Sequence, residues 1–125
     1  MDKAISSGLR TTFLVHAIIG ILFGLAYMLV PEMVGGIMQM EMSDPTYRIL
    51  GAALFAIGVS SWLGYRASLW GEVKITVQFE IVWTVLGAAV TAWALLTGGF
   101  PATGWLNFVA LAVFAIAFGY FYTRH

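Results

Sequence analysis

Residues 77–97 read VQFEIVWTVLGAAVTAWALLT. In the first nine of them, VQFEIVWTV, eight residues are at home in hydrocarbon or tolerated there, and Glu80 is not. After Glu80 no acid, lysine or arginine occurs until Arg124. An uncharged interval of that length accommodates two membrane spans and a turn, because one helical span needs about 20 mostly apolar residues. The same pattern recurs upstream, with no charged residue between Arg10 and Glu32 or between Arg48 and Arg66.

Composition agrees. Of the 125 residues 61% are hydrophobic and 10% charged, against roughly 25% charged in an ordinary soluble domain. So few charges cannot cover a water-facing surface, and lipid is the expected solvent. The formal net charge is zero, which leaves no basic patch for nucleic acid. The absence of cysteine excludes thiolate chemistry and cysteine-bound metal. The basic start at Lys3 and Arg10 imitates a signal peptide. The apolar run after it is too long, however, and it ends in Tyr27-Met28-Leu29-Val30-Pro31 without a small-residue cleavage site.

The breakers divide the chain into four spans, expected over 9–30, 45–66, 72–97 and 102–123. Pro31 stops the first, Pro45 follows a capping Asp44, and Gly98-Gly99-Phe100-Pro101 separates the last two. The fold class is therefore all-α: one integral membrane domain, an up-down-up-down four-helix bundle. Similar stretches, LFAIGVSSWLGYR (54–66) and VFAIAFGYFYTR (113–124), raise the alternative that it is a duplicated helical hairpin. Lys3, Arg10, Arg66, Lys74 and Arg124 fall on one side, with only Arg48 on the other. The positive-inside rule then puts both termini in the cytoplasm of a cell-membrane protein.

Helices in lipid associate through close packing and polar contacts. Gly20 and Gly24 form a GxxxG on span one, Gly51 and Gly58 lie on one stripe of span two, and Gly87 lies on that of span three. These glycines are expected at helix-packing surfaces, within the bundle or between the copies of a homodimer. The outer loop holds MQMEM (38–42). Copper(I) ligation is one reading; an interfacial helix with Met33, Val34, Ile37 and Met38 on one face is the other.

Counting residues from the basic ends of the spans brings His16, Ser60, Ser61, Glu80 and Tyr120 to a similar depth, roughly 9 Å inside for Glu80 and His16. An isolated charge there costs about 2.5–3.5 kcal/mol on insertion scales. Glu80 escapes that cost by remaining protonated, by pairing with His16, or by accepting from hydroxyls. Three readings of the layer stay open: a clamp fixing helix register, a ligand or proton site, or a carboxylate that reaches back to the interface. His16 and Glu80 supply two ligands where zinc takes at least three from protein, so no metal is expected, and no cofactor is indicated. On the outer side Arg48, Asp44 and Asn107 form a second candidate cluster, either an ion pair or an anion site for a headgroup.

Tyr47-Arg48-Ile49-Leu50-Gly51, followed by Gly58 and a basic residue closing the span, resembles the second span of small DoxX-like four-span membrane proteins. The resemblance implies a four-helix fold and touches only Arg48, Gly51 and Gly58. Some DoxX-like proteins are subunits of quinone-linked oxidoreductases. The functional expectation is a non-enzymatic bundle that binds a hydrophobic small molecule, lipid or quinone, or that serves as a membrane-complex subunit. The alternative is a proton-coupled small-molecule transporter working as a dimer. An acid–base lipid isomerase would need more acidic groups than this chain offers.

Overall fold

The computed structural model describes residues 2–125 and is helical throughout. The helices are α1 (Ser7–Leu29), α2 (Pro31–Met38), α3 (Pro45–Arg66), α4 (Trp70–Leu96) and α5 (Gly104–Arg124). Four of them, all but α2, are long and apolar enough to cross a membrane. The protein is an integral membrane helical bundle.

The helix ends follow from local chemistry. Ser6 caps α1, its hydroxyl accepting from the Leu9 N–H at 3.2 Å. Pro31 interrupts the first run, and the chain re-enters helix with that proline at the first turn of α2. Gln39 ends α2 in the left-handed conformation at φ 59°. Asp44 caps α3 by accepting from the Thr46 N–H at 2.7 Å. At the start of α4 the Glu72 carboxylate accepts from the N–H groups of Ser68 and Leu69 at 2.8 and 3.0 Å, which satisfies donors that have no partner inside the helix. Gly98 takes φ +78° in the turn between α4 and α5, a conformation a side chain would strain.

Two hairpins make the bundle. The helices α1 and α3 pack closely on each other, as do α4 and α5, while contact between the pairs is much sparser. In the first hairpin the approach is backbone to backbone. A Cβ added to Gly20 would lie 2.9 Å from Gly58 Cα, and one added to Gly51 would lie 2.7 Å from Met28 N. Gly24 completes the same surface against Phe55. The GxxxG of α1 is thus covered inside a single chain, and it is not left open to a second copy. In the second hairpin Gly87 admits Leu111, whose Cδ1 would stand 3.1 Å from an added Cβ. Asn107 Nδ2 donates to Thr91 Oγ1 at 3.1 Å nearby.

The connections fix the up-down-up-down order. Ile5 N–H donates to the Ser68 carbonyl at 3.1 Å and Trp70 N–H to the Lys3 carbonyl at 2.7 Å. Ser6 N–H donates to His125 Nε2 at 3.3 Å, and His125 stacks on Trp70 at 4.4 Å between ring centroids. Both ends of the described chain and the α3–α4 turn therefore share one end of the bundle, called here the terminal end. At the other end the Thr103 hydroxyl donates to the Met38 carbonyl. The α4–α5 turn thus meets α2, which bridges α1 and α3.

The interior is narrow. Its main cluster, Leu9, Phe13, Val73, Val77, Phe114 and Phe118, lies towards the terminal end, where side chains of both hairpins interleave. The outside is apolar, as a lipid-facing surface must be: Leu96, Ile75 and Ile116 are 80%, 79% and 73% exposed. In α2, Val34 is buried, whereas Met33 and Ile37 point outward. The four residues expected on one interfacial face therefore divide between two, because positions 33 and 37 share one stripe of the helix and 34 and 38 the next.

Candidate functional site

Three spans from both hairpins converge on one buried polar chain. His16 on α1 places Nδ1 2.8 Å from the Ser61 hydroxyl of α3. Ser61 Oγ donates to Glu80 Oε1 of α4 at 3.0 Å. The second carboxylate oxygen, Oε2, lies 3.5 Å from His16 Nδ1. Glu80 and Ser61 are wholly buried and His16 nearly so. The contact between His16 and Glu80 is the single acid–base pair among the described residues.

Each side chain faces inward for a local reason. His16 lies one turn from Gly20, so the stripe that brings α1 onto α3 also turns the imidazole towards Ser61. Ser61 continues the Gly51–Gly58 face of α3. Glu80 lies on the buried stripe of α4 with Val73, Val77 and Thr84, and Thr84 donates to the Glu80 backbone carbonyl at 2.7 Å. The fourth span contributes only rings. Phe114 and Phe118 stand edge-on to His16 at 4.5 and 5.4 Å between centroids. Together with Phe13, they separate the polar chain from the terminal end.

One atom is left over. Glu80 Oε2 is buried without a hydrogen-bond partner among the described residues. A carboxylate has about four acceptor sites, and an unpaired buried polar atom is costly. The chain can run in two directions. With Glu80 ionised, His16 donates through Nδ1 to Ser61, which donates to the carboxylate. With Glu80 protonated, the carboxyl donates to Ser61 and Ser61 to an unprotonated Nδ1. Reversing the serine hydroxyl carries a proton between acid and imidazole. A site holding one proton more than the ionised acid and neutral imidazole is uncharged overall, which is what hydrocarbon favours.

The other sequence-derived candidates lie elsewhere. Ser60 is half-buried on the neighbouring face of α3. Tyr120 is 50% exposed, with the Arg124 guanidinium 5.2 Å from its ring centroid. At the α2 end, Arg48, Asp44 and Asn107 stand apart. Arg48 donates to the Met28 carbonyl in the last turn of α1, where a cation complements the helix dipole. Asp44 caps its own helix, and hydrogen bonds from Thr46 hold its carboxyl below the ordinary range. Asn107 ties α5 to Thr91. Two features were not read from the sequence: the aromatic wall of the site and, apart from the site, the Asn107–Thr91 bond. Phe114 and Phe118, one turn apart, were the available signal for the wall.

Beside the polar chain, on the lipid side of the junction between hairpins, runs an open groove of about 390 Å³. Ala56, Ile57 and Ser60 of α3 form one wall and Ile75, Thr76 and Phe79 of α4 the other. A second open groove, of about 350 Å³, is wholly apolar, lined by Ala17, Ile18, Ile21, Leu22 and Trp62. No cluster of three metal-ligating side chains occurs among the described residues. The chain matches no protein-family model, no curated protein and no solved structure.

Proposed function

We propose that this protein is a non-enzymatic membrane bundle that binds a hydrophobic small molecule, a lipid or a quinone, at the junction of its two hairpins, with both termini in the cytoplasm. The observation that carries the reading is the α3–α4 groove, lined in part by Ser60 and Phe79, the sequence neighbours of the buried Ser61 and Glu80, where the hairpins are least tightly joined. Binding pockets of this kind are mostly apolar with a few convergent polar groups. The resemblance to DoxX-like proteins, carried by Arg48, Gly51 and Gly58, bears on the four-span fold and not on the ligand. The experiment is native mass spectrometry and lipid analysis of protein extracted gently from its membrane. A retained small molecule, diminished in Glu80→Gln, supports binding. Protein that emerges empty from every mild extraction refutes it.

The His16–Ser61–Glu80 chain favours a second reading, proton-coupled transport by a dimer, because a protonatable group shared between two sparsely joined hairpins would couple proton transfer to any motion of one against the other. In that case proteoliposomes show substrate flux driven by a pH step and lose it in Glu80→Gln. A second copy would dock on a face other than Gly20 and Gly24, which α3 covers.

A further inference from the structure

Hydroxyls within the spans have their own solution to the missing water. Thr11, Thr12, Thr84 and Thr91 donate to the carbonyl one turn earlier, and Ser61 donates to Glu80. Away from the helix ends, two hydroxyls depart from this pattern, Ser60 and Thr76. Neither hydroxyl is hydrogen-bonded to its own helix or to another partner among the described residues. Both are half-buried, and both line the same α3–α4 groove from opposite walls.

From this convergence we infer that the groove takes a neutral amphiphile whose carbonyl oxygen accepts hydrogen bonds from Ser60 and Thr76. The inference rests on the proposed binding function and narrows its ligand. A hydroxyl both donates and accepts, but its one proton is what remains costly to leave unpaired in hydrocarbon, and an uncharged carbonyl is an acceptor for two such protons that carries no charge into the membrane. No charged side chain lines the groove, so nothing there would hold a phosphate or a carboxylate. Depth agrees. Ser60 lies six residues from Arg66, and Thr76 six from Trp70, so both are roughly 9 Å inside the ends of their helices. That is below the level of a charged headgroup. The remaining lining, Ala56, Ile57, Ile75 and Phe79, suits an aliphatic or prenyl tail, and Ala56 and Ser60, being small, create the space.

The test compares a long-chain methyl ketone with the alkane of equal length, each added to the full-length protein in phosphatidylcholine nanodiscs and measured by native mass spectrometry. Infrared spectroscopy follows the ketone carbonyl. The ketone is expected to be retained about tenfold more strongly than the alkane, the equivalent of ~1.4 kcal/mol, with its carbonyl band shifted by hydrogen bonding. Ser60→Ala/Thr76→Val should abolish both the preference and the shift. Because neither hydroxyl bonds to the protein, this variant removes none of the fold's own hydrogen bonds. Equal retention of ketone and alkane would overturn the carbonyl inference while leaving a binding groove. A preference that survives in the double variant would overturn it too, by placing the carbonyl elsewhere. Retention of neither compound would overturn the inference, while the proposed binding function would stand or fall separately with the extraction experiment.

Discussion

His16 and Glu80 face each other across the junction of the two hairpins, Nδ1 3.5 Å from Oε2, with Ser61 hydrogen-bonded to both. Each hairpin brings one titratable group, so neither can neutralise its own polar chain alone. The pair is therefore expected to behave as one unit. Glu80→Leu and His16→Leu should each destabilise the protein, by about 1–3 kcal/mol for the partner left unsatisfied. The double variant should be more stable than the sum of the two losses predicts, with a coupling of about 0.5–3 kcal/mol. Denaturation in mixed micelles measures it, and strictly additive losses would show that the two side chains do not interact.

The first hairpin depends on absent side chains. An added Cβ at Gly58 would stand 2.6 Å from the Ile21 backbone nitrogen, where no rotamer change gives relief. Gly58→Ala is expected to force α1 from α3 and cost about 1–3 kcal/mol. Gly119→Ala is the control, since nothing lies within 4 Å of its added Cβ. It should be neutral or stabilising by up to about 1 kcal/mol through helix propensity. The same micelle unfolding assay separates the two.

In the second hairpin Asn107 donates to Thr91 Oγ1, which itself donates to the Gly87 carbonyl. Interhelical hydrogen bonds in membranes average about 0.6 kcal/mol. Asn107→Leu should therefore weaken the α4–α5 pairing by that small amount and leave the His16–Glu80 contact intact. An effect of several kcal/mol, read in the same assay, would mean that Asn107 serves something besides this bond.

Asp44 gives an acid-dependent cap at the start of α3. Hydrogen bonds from Thr46 hold its carboxyl below the ordinary aspartate range. A lowered value in the folded state means that the cap contributes fully above the unfolded value and is lost as pH falls through the folded one. The Thr46 amide resonance should therefore titrate with a midpoint below that of an ordinary aspartate. In Asp44→Asn, which keeps an acceptor, that titration should vanish while α3 still begins at Pro45.

Much of the fold was legible because charge gaps and prolines are one-dimensional signals. Pro31, Pro45 and the Gly98–Pro101 breaker divide the chain at the places where the helices end. The site was less legible, and the reason is geometric. Counting from the basic span ends gives depth, and depth alone cannot separate Ser60 from Ser61. Adjacent residues on a helix point about 100° apart, so when Ser61 follows Gly51 and Gly58 inward, Ser60 must face the groove. Tyr120 is set off in the same way from the Phe114–Phe118 face. Arg48 illustrates a different limit. Its partner is a backbone carbonyl at the end of α1, and backbone acceptors look alike in every residue of a sequence. The nearby acid Asp44 suggested ion pairing, while the uncompensated end of a neighbouring helix offered the nearer acceptor.

The most direct test of the account is the His16–Glu80 contact itself, in lipid. Solid-state NMR on protein carrying ¹⁵N-histidine and ¹³C-glutamate, reconstituted in bilayers, should show dipolar coupling between the His16 ring and the Glu80 carboxyl group, as the 3.5 Å Nδ1–Oε2 separation requires. Substituting Ser61→Ala should leave the coupling detectable but change the ring-nitrogen shift. Absence of the coupling, when glycine-labelled samples show the Gly20–Gly58 contact, would mean that the first hairpin forms but does not meet α4 at this polar chain, and the binding site proposed at their junction would have no basis.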